Sequence, residues 1–314
     1  MRAVVLVGGH GTRLRPLTND VPKAMLPIGG VPMIERMVGH LSSHGITEVV
    51  LSMGFLPDAF VEGYPDGTCA GTPLHYAVEP EPLDTAGAIA FAAAHAGIDE
   101  TFLVQNGDIL TDLDMGVLIS VHQETGAEGT IALTSVDDPS RYGVVPTDVS
   151  GRVMGFVEKP APGEAPTHNA NAGTYVLEPS VLGRIPTGQR VSVERRVFPE
   201  MAAEGTLYAV ASDATWVDTG TPVTYLRANL DTLADPSGSV VDGSARVKAS
   251  ATVERSVVLA GASIGENAVV QDSIIGPGAT VGASARVVGH SVLGTAAVVA
   301  EGEHLTDQRR PEVA

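Results

Sequence analysis

The residues with the most to offer chemically stand near the start of the chain. Gly8-Gly9-His10-Gly11-Thr12-Arg13-Leu14-Arg15-Pro16 is a glycine-rich turn directly after the apolar run Ala3 to Val7, and Lys23 comes soon after, behind Pro22. Glycines leave backbone N–H groups bare enough to wrap a phosphate chain, and the carboxyl end of a strand is where open α/β sheets bind ligands. The loop is not of the dinucleotide-binding type, because Leu14 stands where a third glycine should be, and no Gly-Lys-Ser/Thr is present to make a Walker loop. What it supplies is Arg13 and Arg15, then Lys23. A glycine loop with two arginines and a lysine close behind predicts a triphosphate site whose developing charge is met by side-chain cations. His10 reads as an ordinary surface histidine.

The balance of charge makes those cations stand out. The 314 residues include 19 basic and 37 acidic ones, a formal net charge of −18. Such a chain repels polyanions at long range, which argues against nucleic acid or an anionic membrane as partner; a small anionic substrate needs cations concentrated locally. Only three basic residues are lysines, Lys23, Lys159 and Lys248, and two of them sit beside prolines in Val21-Pro22-Lys23 and Glu158-Lys159-Pro160. Lysine is a compact point charge that arginine cannot imitate at a tight phosphate site, so both are candidates. Hydrophobic residues at 44% and charged residues at 18% describe a chain with a substantial core. The one cysteine, Cys69, has no partner for an intramolecular disulfide, reads as a small apolar filler and fits a reducing cytoplasm. Ala3 to Val7 is too short for a signal sequence or a membrane span and reads as a first strand.

The elements that must position these residues can be read from periodicity. Up to about residue 230 short apolar runs alternate with helical patterns, which predicts a Rossmann-like α/β fold, a mostly parallel sheet with helices on both faces. Pro32, then Met33, Ile34, Met37, Val38 and Leu41, then Gly45, mark one amphipathic helix. Val49 to Ser52 and Thr101 to Val104 read as strands. Ala86 to Ala96 and the segment with Leu118, Ile119 and His122 read as helices. Between Asp137 and Tyr175 short β-like runs broken by Gly, Pro and Asn suggest hairpins over one sheet edge. From Val241 the texture changes: Val241, Val247 and Val253 are six apart, as are Ile275, Val281, Val287, Leu293 and Val299, with Ile264-Gly265 in a shifted phase. That period predicts a parallel β-helix of hexapeptide repeats. The expected division is a catalytic domain over 1–230, a linker over 231–240 and the β-helix and tail over 241–314.

Gly8 to Lys23, GGHGTRLRPLTNDVPK, resembles the signature loop of the sugar-1-phosphate nucleotidyltransferases, which make nucleotide sugars. The resemblance spans nearly the whole chain. Phe156-Val157-Glu158-Lys159-Pro160, Asn171-Ala172-Gly173-Thr174-Tyr175, Ser192-Val193-Glu194 with Phe198-Pro199, and Trp216-Val217-Asp218-Thr219-Gly220 occur in the family's order. Within the family, the Phe-Val-Glu-Lys-Pro and Asn-Ala-Gly-x-Tyr-Val-Leu segments are similar to the mannose-1-phosphate guanylyltransferase branch.

The resemblance implies attack of a sugar-1-phosphate oxygen on the α-phosphorus of a nucleoside triphosphate, with pyrophosphate leaving; GTP and mannose-1-phosphate are the implied pair. It implies a hexapeptide β-helix of the left-handed kind, Arg13 on the β,γ-phosphates, Lys23 by the α-phosphate, and Lys159 on the sugar phosphate. Glu158 and Asn171 would bond sugar hydroxyls, and Gly143 would offer a backbone N–H. Gly8, Gly9, Gly11, Thr12, Arg13, Asp84 and Gly87 would line the nucleotide. Asp108 and Asp218, each at a strand end, would hold Mg²⁺, which favours one or two carboxylates plus phosphate oxygens and water. One departure stands in Pro82-Leu83-Asp84-Thr85-Ala86-Gly87, where the family carries Gly-Thr-Ala-Gly and this chain has Asp84 in place of the first glycine. A carboxylate there could accept from guanine N1–H and N2–H₂ or point to solvent.

Base and sugar stay open on the sequence. Thymidylyl, uridylyl or adenylyl transfer to glucose-1-phosphate or to a sugar-like cyclitol phosphate are the alternatives. A non-catalytic regulatory subunit is a competing class, disfavoured because Arg13, Lys23, Asp108 and Asp218 are all intact, and an acyltransferase is disfavoured by the complete domain ahead of the tail. The tail itself is expected to be structural, a homo-oligomer contact or a regulatory surface.

Overall fold

The computed structural model describes residues 1–312. Packing divides the chain into two compact units, Met1–Gly9 with Ile34–Trp216, and His10–Met33 with the chain from Val217 onward. This runs differently from the linear 1–230, 231–240 and 241–314 division. The cause is long-range pairing of residues 10–33 with the helix Pro222–Leu230. Tyr225 OH donates to Pro27 O at 2.6 Å, and Gly29 N donates to Asn229 Oδ1 at 3.0 Å.

The first unit is built on a mixed sheet of ten strands. Ala3, Val4 and Val5 have no exposed surface, as expected of a strand covered on both faces, and Arg2–Leu6 lies at the centre. Glu48–Met53 and Phe102–Asn106 flank it in parallel, and Thr72–Val78 continues the parallel part beyond Glu48–Met53. The other flank is antiparallel: Asn169–Leu177 pairs with Phe102–Asn106, with Gly129–Ser135 and with the short strand Gly143–Val144, which in turn pairs with Val157–Glu158. The segment expected to fold over the sheet edge therefore extends the sheet instead. Ladder hydrogen bonds satisfy its backbone there.

Helices cover this sheet where the apolar periodicity foretold them. The expected helix after Pro32 runs Met33–Ser43, and the alanine-rich one runs Asp84–His95, packed on Arg2–Leu6 and Glu48–Met53. Small side chains let that helix approach closely. Met115–Thr125 is capped by Asp114, whose Oδ1 accepts from Gly116 N at 2.8 Å, and ends at Gly126. Tyr175 and Phe198, both without exposed surface, meet edge to face at 5.0 Å between centroids in the core. Among the described residues no helix is long and apolar enough to cross a membrane.

In the second unit the tail forms three ladders of short parallel strands. One ladder runs Val240–Val241, Val257–Val258, Ile274–Ile275, Val292–Leu293 and Arg309–Arg310. The pairs Val240↔Val257, Val257↔Ile274 and Ile274↔Val292 give coils of 17, 17 and 18 residues. The shifted phase of Ile264 is thereby explained, since a coil of 17 residues is three hexads less one residue. Val258, Ile264, Val270, Ile275, Val281, Val287, Leu293, Val299 and Leu305 stack inside as one aliphatic column. At the shortened corner Ser256 and Ser273 are buried, and Ser273 N donates to Ser256 Oγ at 3.1 Å, so the missing residue leaves no orphaned backbone group there.

Cys69, in the edge strand Thr68–Cys69, is buried, and burial pushes its thiol up to about 11, with the Glu35 carboxylate adding to the rise and a Tyr64 hydrogen bond opposing it. At pH 8 only about one such thiol in a thousand would be ionised, and only the thiolate reacts. A thiol-specific reagent should therefore leave the native protein unlabelled and modify one residue in denaturant. Rapid native labelling would contradict the filler role.

Candidate active site

In the first unit, loops leave the carboxyl ends of four parallel strands and converge. Gly8, behind Arg2–Leu6, lies against the backbone of Gly54, behind Glu48–Met53. Glu79, behind Thr72–Val78, fastens this corner: Ser52 Oγ donates to its Oε1 at 3.0 Å and Leu83 N to its Oε2 at 3.1 Å. No motif singles out Glu79; its only sequence signal is an acidic residue directly after a strand. Gly107 N donates to Leu6 O at 2.9 Å, which sets the adjoining Asp108 beside the end of the first strand.

Asp84 opens the helix Asp84–His95 with φ at 61°. This is the left-handed conformation that glycine adopts freely and that aspartate tolerates better than most residues. The turn itself thus accounts for both the family's glycine and this chain's aspartate. Asp84 Oδ1 accepts from Thr85 N at 2.8 Å, and its Oδ2 lies 3.9 Å from Nε of the exposed Arg190. Thr85 Oγ1 and Ser192 Oγ each donate to Glu194 Oε2 at 2.7 Å, and Val193 N donates back to Thr85 Oγ1. The Ser192-Val193-Glu194 motif, to which the sequence assigned no role, ties this turn in place. Gly87 is buried beneath that segment, and a methyl group on it would lie 2.7 Å from Gln189 O. Its surroundings are packing rather than an open surface for a nucleotide.

The residues expected around the sugar lie on the antiparallel flank. A methyl group on Gly143 would meet Phe156 at 2.6 Å and Glu158 Oε2 at 2.8 Å, so glycine is the residue that lets Glu158 stand there. Lys159 also has a left-handed backbone, φ 49°, held by its N–H on Tyr142 O at 3.1 Å, and its Nζ is 3.6 Å from Glu158 Oε1. Asn171 is committed internally on both sides of its amide: Nδ2 donates to Tyr175 OH at 2.9 Å and Oδ1 accepts from Gly173 N at 3.0 Å. Burial pushes the Tyr175 phenol well above its usual range, with the Glu194 and Asp108 carboxylates adding to the effect. It stays a neutral O–H, bonded to Asn106 as well as Asn171. Trp216 Nε1 donates to Ala172 O at 2.9 Å and the ring meets Tyr142 edge to face at 5.4 Å.

The second unit holds its own group of candidate residues. Gly11 takes φ 56° ahead of the short turn Thr12–Leu14, and Thr18 Oγ1 donates to Gly11 O at 2.8 Å, while Thr12 and Arg13 stay exposed. Lys23 Nζ stands 3.8 Å from Asp218 Oδ1, the two side chains only 11% and 20% exposed. Gly220 N donates to the same Oδ1 at 2.8 Å. Arg13 Nη2 lies close over Gly220: a methyl group there would be 2.6 Å from it and 2.6 Å from Asp218 Oδ1. Arg13, over Gly220, and Lys23, beside Asp218, are thus brought to one short segment far along the chain. Gly9 has open space around it. Among the described residues no group of three or more His, Cys, Asp or Glu side chains is arranged to hold a metal ion. Mg²⁺ needs no such cluster, since it binds through one or two carboxylates and takes its remaining ligands from phosphates and water.

A family model described as nucleotidyl transferase matches residues 2–235, and one described as the GMPPB C-terminal domain matches residues 233–309. The chain is 42% identical over 231 residues to a mannose-1-phosphate guanylyltransferase of Mycobacterium tuberculosis, covering 73% of this chain and 64% of that protein. It is 37% identical over 268 residues to a mannose-1-phosphate guanyltransferase of Schizosaccharomyces pombe, covering 81% of this chain and 73% of that one. The match thus spans under two thirds of the mycobacterial protein. Among solved structures, HddC from Yersinia pseudotuberculosis superposes with a TM-score of 0.64 at 30% identity, covering 74% of this chain and 99% of that one, and has been crystallised with GMP-PN.

Gly220→Ala should test the second-unit cluster without unfolding it, since the added methyl pushes only the ends of two flexible side chains. Melting should stay within a few degrees of wild type, and calorimetric affinity for a nucleoside triphosphate should fall about tenfold, the equivalent of about 1.4 kcal/mol. Unchanged affinity would remove Arg13 and Asp218 from phosphate binding.

Proposed function

We propose, for a chain that belongs to the nucleotidyl transferase family, that it transfers the guanylyl group of GTP to mannose-1-phosphate, forming GDP-mannose and releasing pyrophosphate. The observation that carries the reading is the gathering of Arg13 and Lys23 at the Asp218–Gly220 segment. Two polyanions react here, so fixed cations that meet phosphate charge are the main catalytic requirement. The names of the relatives and the GMP-PN complex of HddC support guanine and mannose.

In this reading Arg13 takes the leaving β,γ-phosphates with its planar fork and Lys23 the α-phosphate as a point charge. Gly8, Gly9, Gly11 and Thr12 supply backbone N–H groups. Lys159 holds the sugar phosphate, Glu158 accepts from sugar hydroxyls, and Asn171 offers the hydrogen-bonding capacity that Tyr175 and Gly173 leave free. Asp108 and Asp218 are the proposed Mg²⁺ ligands; an ion held there would supply positive charge against the phosphates. Asp84 is proposed to read the base through Oδ2 and the second lone pair of Oδ1. A cytoplasmic setting and a homo-oligomer belong to the same proposal, the second supported by Val241 and Val247 at the first β-helix coil, 42% and 39% exposed in the single chain; equilibrium sedimentation checks it, a pure monomer counting against it.

The test is kcat/KM for GTP, ATP, UTP and dTTP with mannose- and glucose-1-phosphate, monitoring pyrophosphate. GTP with mannose-1-phosphate should lead, chelator should abolish turnover and Mg²⁺ restore it. Asp108→Asn or Asp218→Asn should lower turnover by at least about 10²-fold with circular dichroism unchanged. Asp84→Gly should cut the GTP preference by about 1–3 kcal/mol, the scale of a lost charged hydrogen bond. A wild-type preference for dTTP, UTP or ATP would overturn the guanylyl assignment and leave the reaction class standing.

A further inference from the structure

We propose that Arg309, in the last described strand of the β-helix, is a positioning residue that latches the signature loop and so sets Arg13 for the nucleotide's phosphates. The proposal rests on the nucleotidyl transfer reading for the identity of the ligand. Its structural basis is independent of that reading.

Arg309 Nη1 donates to Arg15 O at 3.0 Å, a contact between residues 294 positions apart. Beside it, the buried Pro16 lies on Gly294, where a methyl group would stand 2.9 Å from Pro16 Cβ and 3.2 Å from Pro16 O. The coil that makes these two contacts is itself fixed. Gly294 N donates to Arg310 O at 2.7 Å, Arg310 Nη2 pairs with Glu303 Oε1 at 2.6 Å, and Arg310 Nη1 donates to Val298 O at 3.1 Å. A rigid stack of coils therefore presents one guanidinium and one side-chain-free corner to the loop.

The loop needs such support. Thr12–Leu14 is a single 3₁₀ turn, and one turn of this kind is marginal by itself. Thr18 Oγ1 on Gly11 O holds its entry, and Leu17 N on Leu14 O at 3.1 Å steadies the residues beyond it. At Arg15, two residues past Arg13, the carbonyl is held by the tail. Without Arg309 the exit of the turn can rotate, and the Arg13 fork then samples directions that miss a phosphate. Binding of a triphosphate would then carry that ordering entropy as a penalty, whereas binding of the sugar phosphate, assigned to Lys159, would not.

The experiment uses the full chain with Arg309→Ala, Arg309→Lys and, as control, Arg227→Ala, an arginine 82% exposed in the same unit. Kinetics are measured with each substrate varied in turn, and amide hydrogen exchange is monitored over a peptide spanning the signature loop. Arg309→Ala should raise KM for the triphosphate about five- to twentyfold, change KM for the sugar phosphate less than about twofold, and speed exchange in the loop. Arg309→Lys keeps a donor for a carbonyl and should recover most of the loss, and Arg227→Ala should match wild type. Wild-type triphosphate KM and wild-type loop exchange in Arg309→Ala would overturn the latch. So would an equal rise in both KM values accompanied by a lowered melting temperature, which marks a merely structural role. Should no pair of nucleotide and sugar phosphate react in the wild type, the transfer reading fails, and loop exchange alone then decides: faster exchange in Arg309→Ala supports the latch, unchanged exchange overturns it.

Discussion

The proposed reaction would require two negatively charged substrates to be held in contact by a chain that is itself strongly negative, with a net charge of −18. The field of the whole molecule opposes this, so the few cations must be concentrated and aimed. Arg13 and Lys23 illustrate how. Each stands by the Asp218–Gly220 segment, and Asp218 Oδ1, 3.8 Å from Lys23 Nζ, balances the cations before any phosphate arrives. Without that carboxylate, two neighbouring positive groups would repel and splay. With it, phosphates arriving at the proposed site would compete for groups already in position, the preorganisation on which phosphoryl-group transfer depends.

The rest of the first unit restricts motion in the same way. Polar residues behind the loops bond to one another: Glu194 collects the hydroxyls of Thr85 and Ser192, and Asn171 is pinned between Tyr175 and Gly173. Such networks, when satisfied, cost little and lock rotamers that would otherwise wander. Two strained backbones, Asp84 and Lys159, fall among the residues that the family resemblance assigns to base and sugar. Strain concentrated at such positions is held in place by the surrounding bonds.

Local pattern carried most of the fold into view. Pro32 and Gly45 bracketed the helix Met33–Ser43, and the apolar run Ala3 to Val7 marked the central strand. The six-residue step announced the β-helix, and even its stumble at Ile264 was visible, although only the register of 17-residue coils explains it. Of the candidate site, Arg13, Lys23 and Asp218 stand in short motifs, and the structure brings them near one another. The site was illegible where a role depends on a distant partner. Gly87 reads as part of a nucleotide loop, yet Gln189 closes its surface. Glu79 and Arg309 belong to no recognisable string, because hydrogen bonds across long sequence separations leave no periodic trace. The interleaving of residues 10–33 with the far half of the chain was hidden for the same reason.

That interleaving has a bearing on how the molecule is made. A ribosome releases the signature loop well before Asn229, Gly294 and Arg309, which hold residues 10–33 across separations of 200 to 294 residues. At about 5–20 residues per second the loop stays without its clasp for on the order of ten seconds to a minute. The strands of the first unit can pair during that interval, since their partners lie upstream of residue 217. On the proposed reading the triphosphate site would be completed only after the sheet, and a chain stopped short of Arg309 would carry a formed sheet and a signature loop still unfastened.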